Sequence, residues 1–221
     1  MARPKKIKPQ PEIPEHIGPT TETKILHAAL EVFSHNGKDS TTMQQIATLA
    51  GVNKALLHYY FRTKESLYEK IFDIILKKNI IHIIDSLEEQ KTFLDTLTVF
   101  VSKYMDIFSQ NPSLVSFFTR DVHATGTMIK KKIKQLVAEG HISPPQAVAK
   151  ALENAIKRGE VTHCDPWDLM LTIIGACLYP FMAQPIIEAF APIGTDVFSK
   201  EFIDKRKKSI VDMVYYGLRK D

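Results

Sequence analysis

Cysteine is scarce in this chain: Cys164 and Cys177 are the two that 221 residues contain, and thirteen positions separate them. A zinc site assembles from closer ligand pairs, and a thiol sensor needs an accessible cysteine of low pKa. Neither metal nor redox chemistry is therefore expected, although His163 adjoins one of the two. Packing is the expected role of Cys177. Catalytic signatures are missing too, since no G-x-S-x-G elbow, Walker loop, G-x-G-x-x-G turn or H-E-x-x-H pair occurs. The chain does not read as an enzyme, and no cofactor is expected. No stretch alternates with period two over a useful length, which leaves little room for half-buried strands. The first nineteen residues lack the apolar segment of about 7–15 residues that a secretory signal requires, so the expected location is the cytoplasm.

What is present points to helices. Hydrophobic residues make up 44% of the chain, enough to bury a substantial core in one or two domains. Proline and glycine mostly separate periodic apolar segments, so the expected fold is all-α. The formal net charge is a mild +4. Residues 1–70 hold ten Lys or Arg against seven Asp or Glu, which leaves +1 for the remainder. Such an excess suits a protein that reads one groove of a nucleic acid rather than coating it, because affinity follows the phosphates neutralised.

The basic excess lies beside the most informative stretch, TTMQQIATLAGVNKALLHYYFRTK from Thr41 to Lys64. Thr42 and Gln45 form a capping box, so a helix begins at about Met43. Ile46, Ala47 and Ala50 supply its apolar stripe, and Ala47 is small enough for a second helix to cross closely. Gly51 ends it in a left-handed turn, Val52 plugs the turn, and Asn53 caps a second helix. The inward residues of that helix are expected to be Leu56, Leu57 and either Tyr60 or Phe61. Lys54, Ala55, His58 and Tyr59 then face outward, with Arg62 and Lys64 within reach of phosphates. Thr63 can cap a third helix whose amides also suit a phosphate. An amphipathic helix precedes the motif, built on Ile25, Ala28, Ala29, Val32 and Phe33 and stopped at Asn36-Gly37. Two helices with a glycine turn could also make an ordinary core hairpin; the basic and aromatic outer face favours DNA.

Residues 21–76 resemble the N-terminal domain of the TetR family of bacterial transcription regulators. Phe33 and Gly37 match its first helix and loop, and Thr42, Ile46, Ala47, Ala50, Gly51 and Val52 match T-x-x-x-I-A-x-x-A-G-V. Leu57, Tyr59, Tyr60, Phe61, Lys64, Glu65 and Leu67 match L-x-Y-Y-F-x-x-K-E-x-L. The chain departs at Asn53-Lys54-Ala55 and Leu57-His58, where members often carry Ser-Lys-Gly and Leu-Tyr, so its base-reading surface is individual. The resemblance implies that Thr42, Lys54, Tyr59 and Lys64 meet the DNA backbone, while Gln44, Ala55 and His58 are candidates for base edges. Asn53 and Tyr60 complete the candidate set. His58 could equally donate to a guanine or phosphate or sit solvated at the groove's edge.

Three regions follow: an arm over 1–19, a DNA-binding domain over 20–66, and a helical effector-binding and dimerisation domain over 67–221. The arm carries Arg3, Lys5, Lys6 and Lys8 among five prolines, and either follows DNA or stays a solvated tail. A long helix runs from Thr63 to about Ile84 with Lys77 and Lys78 on its wet side. Further helices are expected over Lys91–Gln110, from a cap at Ser113, over Thr127–Val137 and from Ser143 to Lys157. Lys130, Lys131, Lys132 and Lys134 are expected on a solvated helix face rather than against a membrane. The uncharged run 169–187 contains Thr172, Gln184 and two prolines and lacks flanking basic clusters, so a helix buried all round in an assembly is expected, not a span.

The resemblance further implies a homodimer formed by the last two helices, with Phe202, Ile203, Ile210, Val211, Val214 and Leu218 as its candidate interface. Phe100, Tyr104, Phe117, Phe118, Asp121, Trp167, Met170, Ile174, Cys177 and Phe181 are the candidate lining of an effector pocket, and their character suggests a lipophilic acyl or aromatic effector. Its binding would tilt the long helix, change the spacing of two reading heads and release a palindromic operator. Repression is the family's default sign. A different class of function, a helical interaction or scaffold module without operator specificity, would show only weak, salt-erased DNA binding.

Overall fold

The computed structural model describes residues 20–139, 144–192 and 194–219, which form eleven helices and no strand. An isolated bridge joins Val161 to Arg219 near the end of the chain. The arm, Ser143 and the side chain of Lys78 lie outside the described residues.

Local caps set the first four helices. In α1 (Thr21–Ser40) the hydroxyl of Thr20 accepts from Thr23 N, and the helix breaks at Gly37, whose φ of 76° only glycine adopts without strain. Both arms of the Thr42–Gln45 capping box open α2 (Met43–Ala50), and Gly51 closes it at φ 67°. Asn53 Oδ1 accepts from Leu56 N at 2.7 Å and opens α3 (Lys54–Tyr60). A Thr63–Ser66 capping box starts α4 (Lys64–Glu88), which runs one turn beyond the expected end at Ile84.

Beyond α4 come α5 (Phe93–Gln110), α6 (Pro112–Ala124), α7 (Thr127–Ala138), α8 (Pro144–Lys157), α9 (Pro166–Met182), α10 (Gln184–Phe190) and α11 (Lys200–Leu218). Thr92 rather than Lys91 fixes the start of α5. The expected cap at Ser113 does not form: Asn111 holds the capping position and Pro112 occupies the first turn, where a missing N–H costs nothing.

The described residues bury two hydrophobic clusters. The first unites Ile25, Phe33, Ile46, Ala47, Leu57, Leu67 and Phe72 with Leu114 and Phe117 of α6. The expected boundary at residue 66 therefore falls inside α4, and the first core closes only when α6 sits on it. The second draws Leu97, Phe100 and Met105 of α5 against Val148 and Leu152 of α8, Met170, Ile173 and Cys177 of α9, and Ile203 and Ile210 of α11.

Polar contacts seat α6 on α1. Ser34 Oγ donates to Leu30 O at 2.6 Å and Ser113 O at 2.8 Å, while Arg120 donates from Nε to Ser34 O at 2.8 Å and from Nη2 to His35 O at 2.7 Å. The carbonyls of Ser34 and His35 lie at the end of the regular helix, just before the break at Gly37, and an arginine from another element caps them. Buried Asp121 accepts from Ile129 N at 3.1 Å and binds α6 to α7.

The lysine run on α7 corrects the expectation of a solvated face. Lys132 is only 4% exposed, and its ammonium lies 2.7 Å from Glu69 Oε1 and 2.8 Å from Asp73 Oδ1 on α4. Lys131 joins Glu69 at 2.8 Å from the outside. Lys130 and Lys134 remain exposed.

The uncharged run is split. Among the described residues no single helix is long and apolar enough to cross a membrane; α9 and α10 pass that test only together, and they meet at an 80° bend. Nor is α9 buried all round within one chain. Leu169, Met170, Ile173, Cys177 and Phe181 face the core, whereas Trp167, Leu171, Tyr179 and Met182 are at least half exposed.

Candidate nucleic-acid interface

The outer face of α3 is displayed by what lies beneath it. Leu57 is fully buried and anchors the helix to α1 and α2, and Phe61, 7% exposed, seals its end. Phe61 is thus the inward aromatic and Tyr60, 40% exposed, is not. Leu56 corrects the expectation as well, because at 36% exposure it lies on the rim of the reading face. The short helix has room for one buried side chain per turn.

Lys54, Ala55, His58 and Tyr59 are exposed together, and Tyr59 reaches 81% exposure with its ring edge-on to Tyr60 at 5.5 Å. Asn53 is exposed, but its carbonyl oxygen is held by the cap, which leaves only its amide hydrogens for a phosphate. On α2, Gln44 is exposed beside Thr48, its Nε2 3.5 Å from the hydroxyl. Thr42 is exposed with its hydroxyl engaged in the capping box. His58 Nδ1 lies 3.2 Å from Arg62 O, an atom that can only accept, so Nδ1 carries the proton. Nε2 is then the ring nitrogen left for a further partner.

Lys64 does not project freely from the packed face. Its ammonium donates to Asp39 O at 3.1 Å and Thr41 O at 2.9 Å, tying the start of α4 to the link between α1 and α2. Those carbonyls are orphaned by the helix break at Gly37, and a charged donor is a strong partner for them. Lys64 thus positions the motif. Lys64→Ala is expected to lower stability by about 1–2 kcal/mol, the scale of losing charged hydrogen bonds at a half-buried site. Thermal unfolding checks this; an unchanged midpoint would show the bonds contribute nothing.

The candidate effector residues separate into groups. Phe100, Met170, Cys177 and Phe181 are buried in the second core, with Tyr104 and Ile174 half-buried against it. Burial pushes the Cys177 thiol up to about 12, which makes it a packing group. Phe117 belongs instead to the first core, where its ring meets Tyr68 at 5.0 Å and Phe72 at 4.7 Å, and Phe118 borders the same core. Asp121 is spent on the α6–α7 joint. Trp167 corrects the expectation outright: at 67% exposure on the first turn of α9 it faces outward.

The candidate interface residues on α11 also divide. Ile203, Ile210 and Val211 are buried in the chain's own second core, and Phe202, Val214 and Leu218 pack against it. The open apolar residues of α11 are Met213 and Tyr216, each 63% exposed. Sequence reasoning missed Ser34, Arg120 and Lys132. The acidic pair Glu69 and Asp73, one turn apart on α4, was the available signal for a buried cation.

Two family models match the chain. One, described as bacterial regulatory proteins, tetR family, matches residues 25–71. The other, described as the tetracyclin repressor-like C-terminal domain, matches residues 94–214. Over 142 residues the chain is 26% identical to the uncharacterized HTH-type transcriptional regulator YhgD of Bacillus subtilis, a match covering 64% of this chain and 72% of that protein. Over 198 residues it is 25% identical to the HTH-type transcriptional regulator RutR of Escherichia coli K12, covering 85% and 87%. The crystal structure of the transcriptional regulator FadR from Bacillus subtilis with stearoyl-CoA shares the fold at TM-score 0.66 and 18% identity, over 88% of this chain and 97% of that one.

Proposed function

Because the chain belongs to the TetR family of bacterial regulatory proteins and is a DNA-binding transcription regulator, we propose that it represses from a palindromic operator as a homodimer. A lipophilic effector releases it. Residues 20–66 read the DNA, and residues 67–221 hold the effector and the partner subunit.

The observation that carries the reading is the outer face of α3, where Lys54, Ala55, His58 and Tyr59 stand exposed above a fully buried Leu57. A helix held by one buried anchor and two caps presents its side chains at fixed height, as insertion into the major groove demands. Tyr59→Ala is expected to weaken operator binding by about tenfold or more, the scale of one phosphate or base contact, without moving the unfolding midpoint. Normal affinity in that variant would reject the assigned orientation.

The proposed dimer covers the open apolar side chains of α9 and α11, among them Leu171, Tyr179, Met182, Met213 and Tyr216. The effector reading rests on the aromatic side chains between α5, α6 and α9, and FadR, which shares the fold, binds stearoyl-CoA in its crystal structure. Effector binding would act on DNA through α4, whose first turn carries Lys64 and whose next two carry the Lys132 partners. The ligand need favour one position of α4 by only a few kcal/mol.

The decisive experiment is selection of bound sequences from random duplex DNA, followed by competition at physiological salt. A recovered palindrome that resists competitor DNA supports the proposal. Enrichment of nothing above background would point to an interaction module.

A further inference from the structure

Pro180 lies inside α9, and a proline there has no N–H to give to the carbonyl four residues back. That carbonyl belongs to Ala176, and the proline ring crowds it as well. Helix α11 supplies the missing donor: Arg206 Nη2 donates to Ala176 O at 3.1 Å. Among the described residues this is the one side-chain hydrogen bond that joins α11 to α9. The approach to the backbone is open because residues 175 to 177 are Gly, Ala and Cys, with no long or branched side chain among them.

Arg206 stands where an apolar residue would be expected. Ile203, Arg206 and Ile210 follow at i, i+3 and i+7, and both isoleucines are buried in the second core. No carboxylate pairs with the guanidinium among the described residues, and its Nε is buried without a partner. Met213 continues the same stripe two turns on and is 63% exposed, while Leu171 and Tyr179, at least half exposed, lie on either side of Ala176 along α9. The bond thus sits in the seam between the open side chains of the two helices. Apolar ridges alone let one helix shift along another by a turn, since the next groove fits nearly as well. A buried polar group with a single acceptor permits one register.

We propose that Pro180 and Arg206 form a register lock. The proline frees one carbonyl of α9, and the arginine that reads it fixes where α11 lies along α9, and with it the surface offered to a second copy of this chain. Arg206 is a positioning residue for the dimer. This role rests on the reading that the open side chains of α9 and α11 meet a partner subunit.

The test is a double-mutant cycle in the full-length chain with Arg206→Met, Pro180→Ala and the two combined. Thermal unfolding at one protein concentration and the dimer dissociation constant from sedimentation are the readings. Arg206→Met keeps the packed stem and removes the donors. It should lower the midpoint by about 4–8 °C, the scale of one charged hydrogen bond in a chain of this length. It should also raise the dissociation constant about tenfold, because the partner must then order a register that is no longer preset. Pro180→Ala restores the missing N–H, so in that background Arg206→Met should move both readings far less. Pro180→Val restores it with more of the ring's volume, and serves the same cycle if alanine unfolds this buried position. Equal losses with and without the proline would overturn the lock. A midpoint that falls while the dissociation constant holds would overturn the positioning role and leave the dimer standing. If the unaltered protein sediments as a monomer at every concentration, the dimer reading itself fails and the positioning role goes with it.

Discussion

Leu171→Glu combined with Met213→Glu should convert the protein into a monomer and reduce its affinity for a palindromic site by roughly 10²–10⁴-fold, the avidity of two linked reading heads. Leu171 is 53% exposed on α9 and Met213 is 63% exposed on α11, so neither substitution disturbs the chain's own core. On α9, Leu171, Tyr179 and Met182 share one face around Gly175, where an added Cβ would meet nothing within 4 Å. A helix face with that much room and that much apolar surface is shaped for another helix. Each glutamate would be desolvated without a partner, and a two-fold interface repeats the cost. Light scattering coupled to size exclusion reads the result. A dimer that survives both charges, with helicity unchanged, would move the interface elsewhere; Ile210→Glu, by contrast, should unfold the domain because that side chain is 1% exposed.

The second large effect concerns the ion cluster that joins α7 to α4. Glu69→Gln with Asp73→Asn should destabilise the protein by about 3 kcal/mol, at the low end for breaking a buried pair because the carboxylates are partly hydrated. Lys132→Met should cost less. The asymmetry follows from exposure: the Lys132 side chain is 4% exposed, while Glu69 and Asp73 retain 34% and 32%. Deleting the carboxylates strands a buried cation, whereas deleting the cation leaves anions that water can reach.

The pH dependence has a definite sign. Hydrogen bonds from Lys131 and Lys132 hold the Glu69 carboxyl at about 2, below its usual 4.5. Its contribution is present above pH 4.5 and is lost as pH falls toward 2. Burial lowers the pKa of Lys132, but the bonds to Asp73 and Glu69 more than reverse this, so its contribution is present at pH below its usual 10.5 and is lost well above it. Urea midpoints measured from pH 2 to 7 should fall at the acid end in the unaltered protein. That decline should flatten in the double variant; a parallel decline in both would place the acid sensitivity outside this cluster.

The caps and breaks were legible because they are contacts within four residues. Thr42 with Gln45, Asn53 with Leu56, Thr63 with Ser66, and the positive φ of Gly37 and Gly51 follow from neighbours along the chain. Lys64 and Lys132 were misread for the opposite reason. Each is a lysine on an amphipathic helix, which by pattern belongs in water, and each is claimed by acceptors 23 or more residues away. Trp167 was misread because an aromatic at the head of an apolar helix has the same pattern inward or outward.

Sequence alone determined the all-α class, the helix-turn-helix with its capped ends, and the exposed set Lys54, Ala55, His58 and Tyr59, since a short helix with one buried leucine leaves its other side chains outside. Tertiary structure alone decided which stripe of α11 meets its own chain, which lysine of α7 is buried, and which helix closes the first core. Periodicity fixes the angle between apolar stripes on a helix but not the direction in which the helix is turned. That direction is set by the combined packing of α4, α5, α6 and α9, whose contacts join residues far apart in the chain.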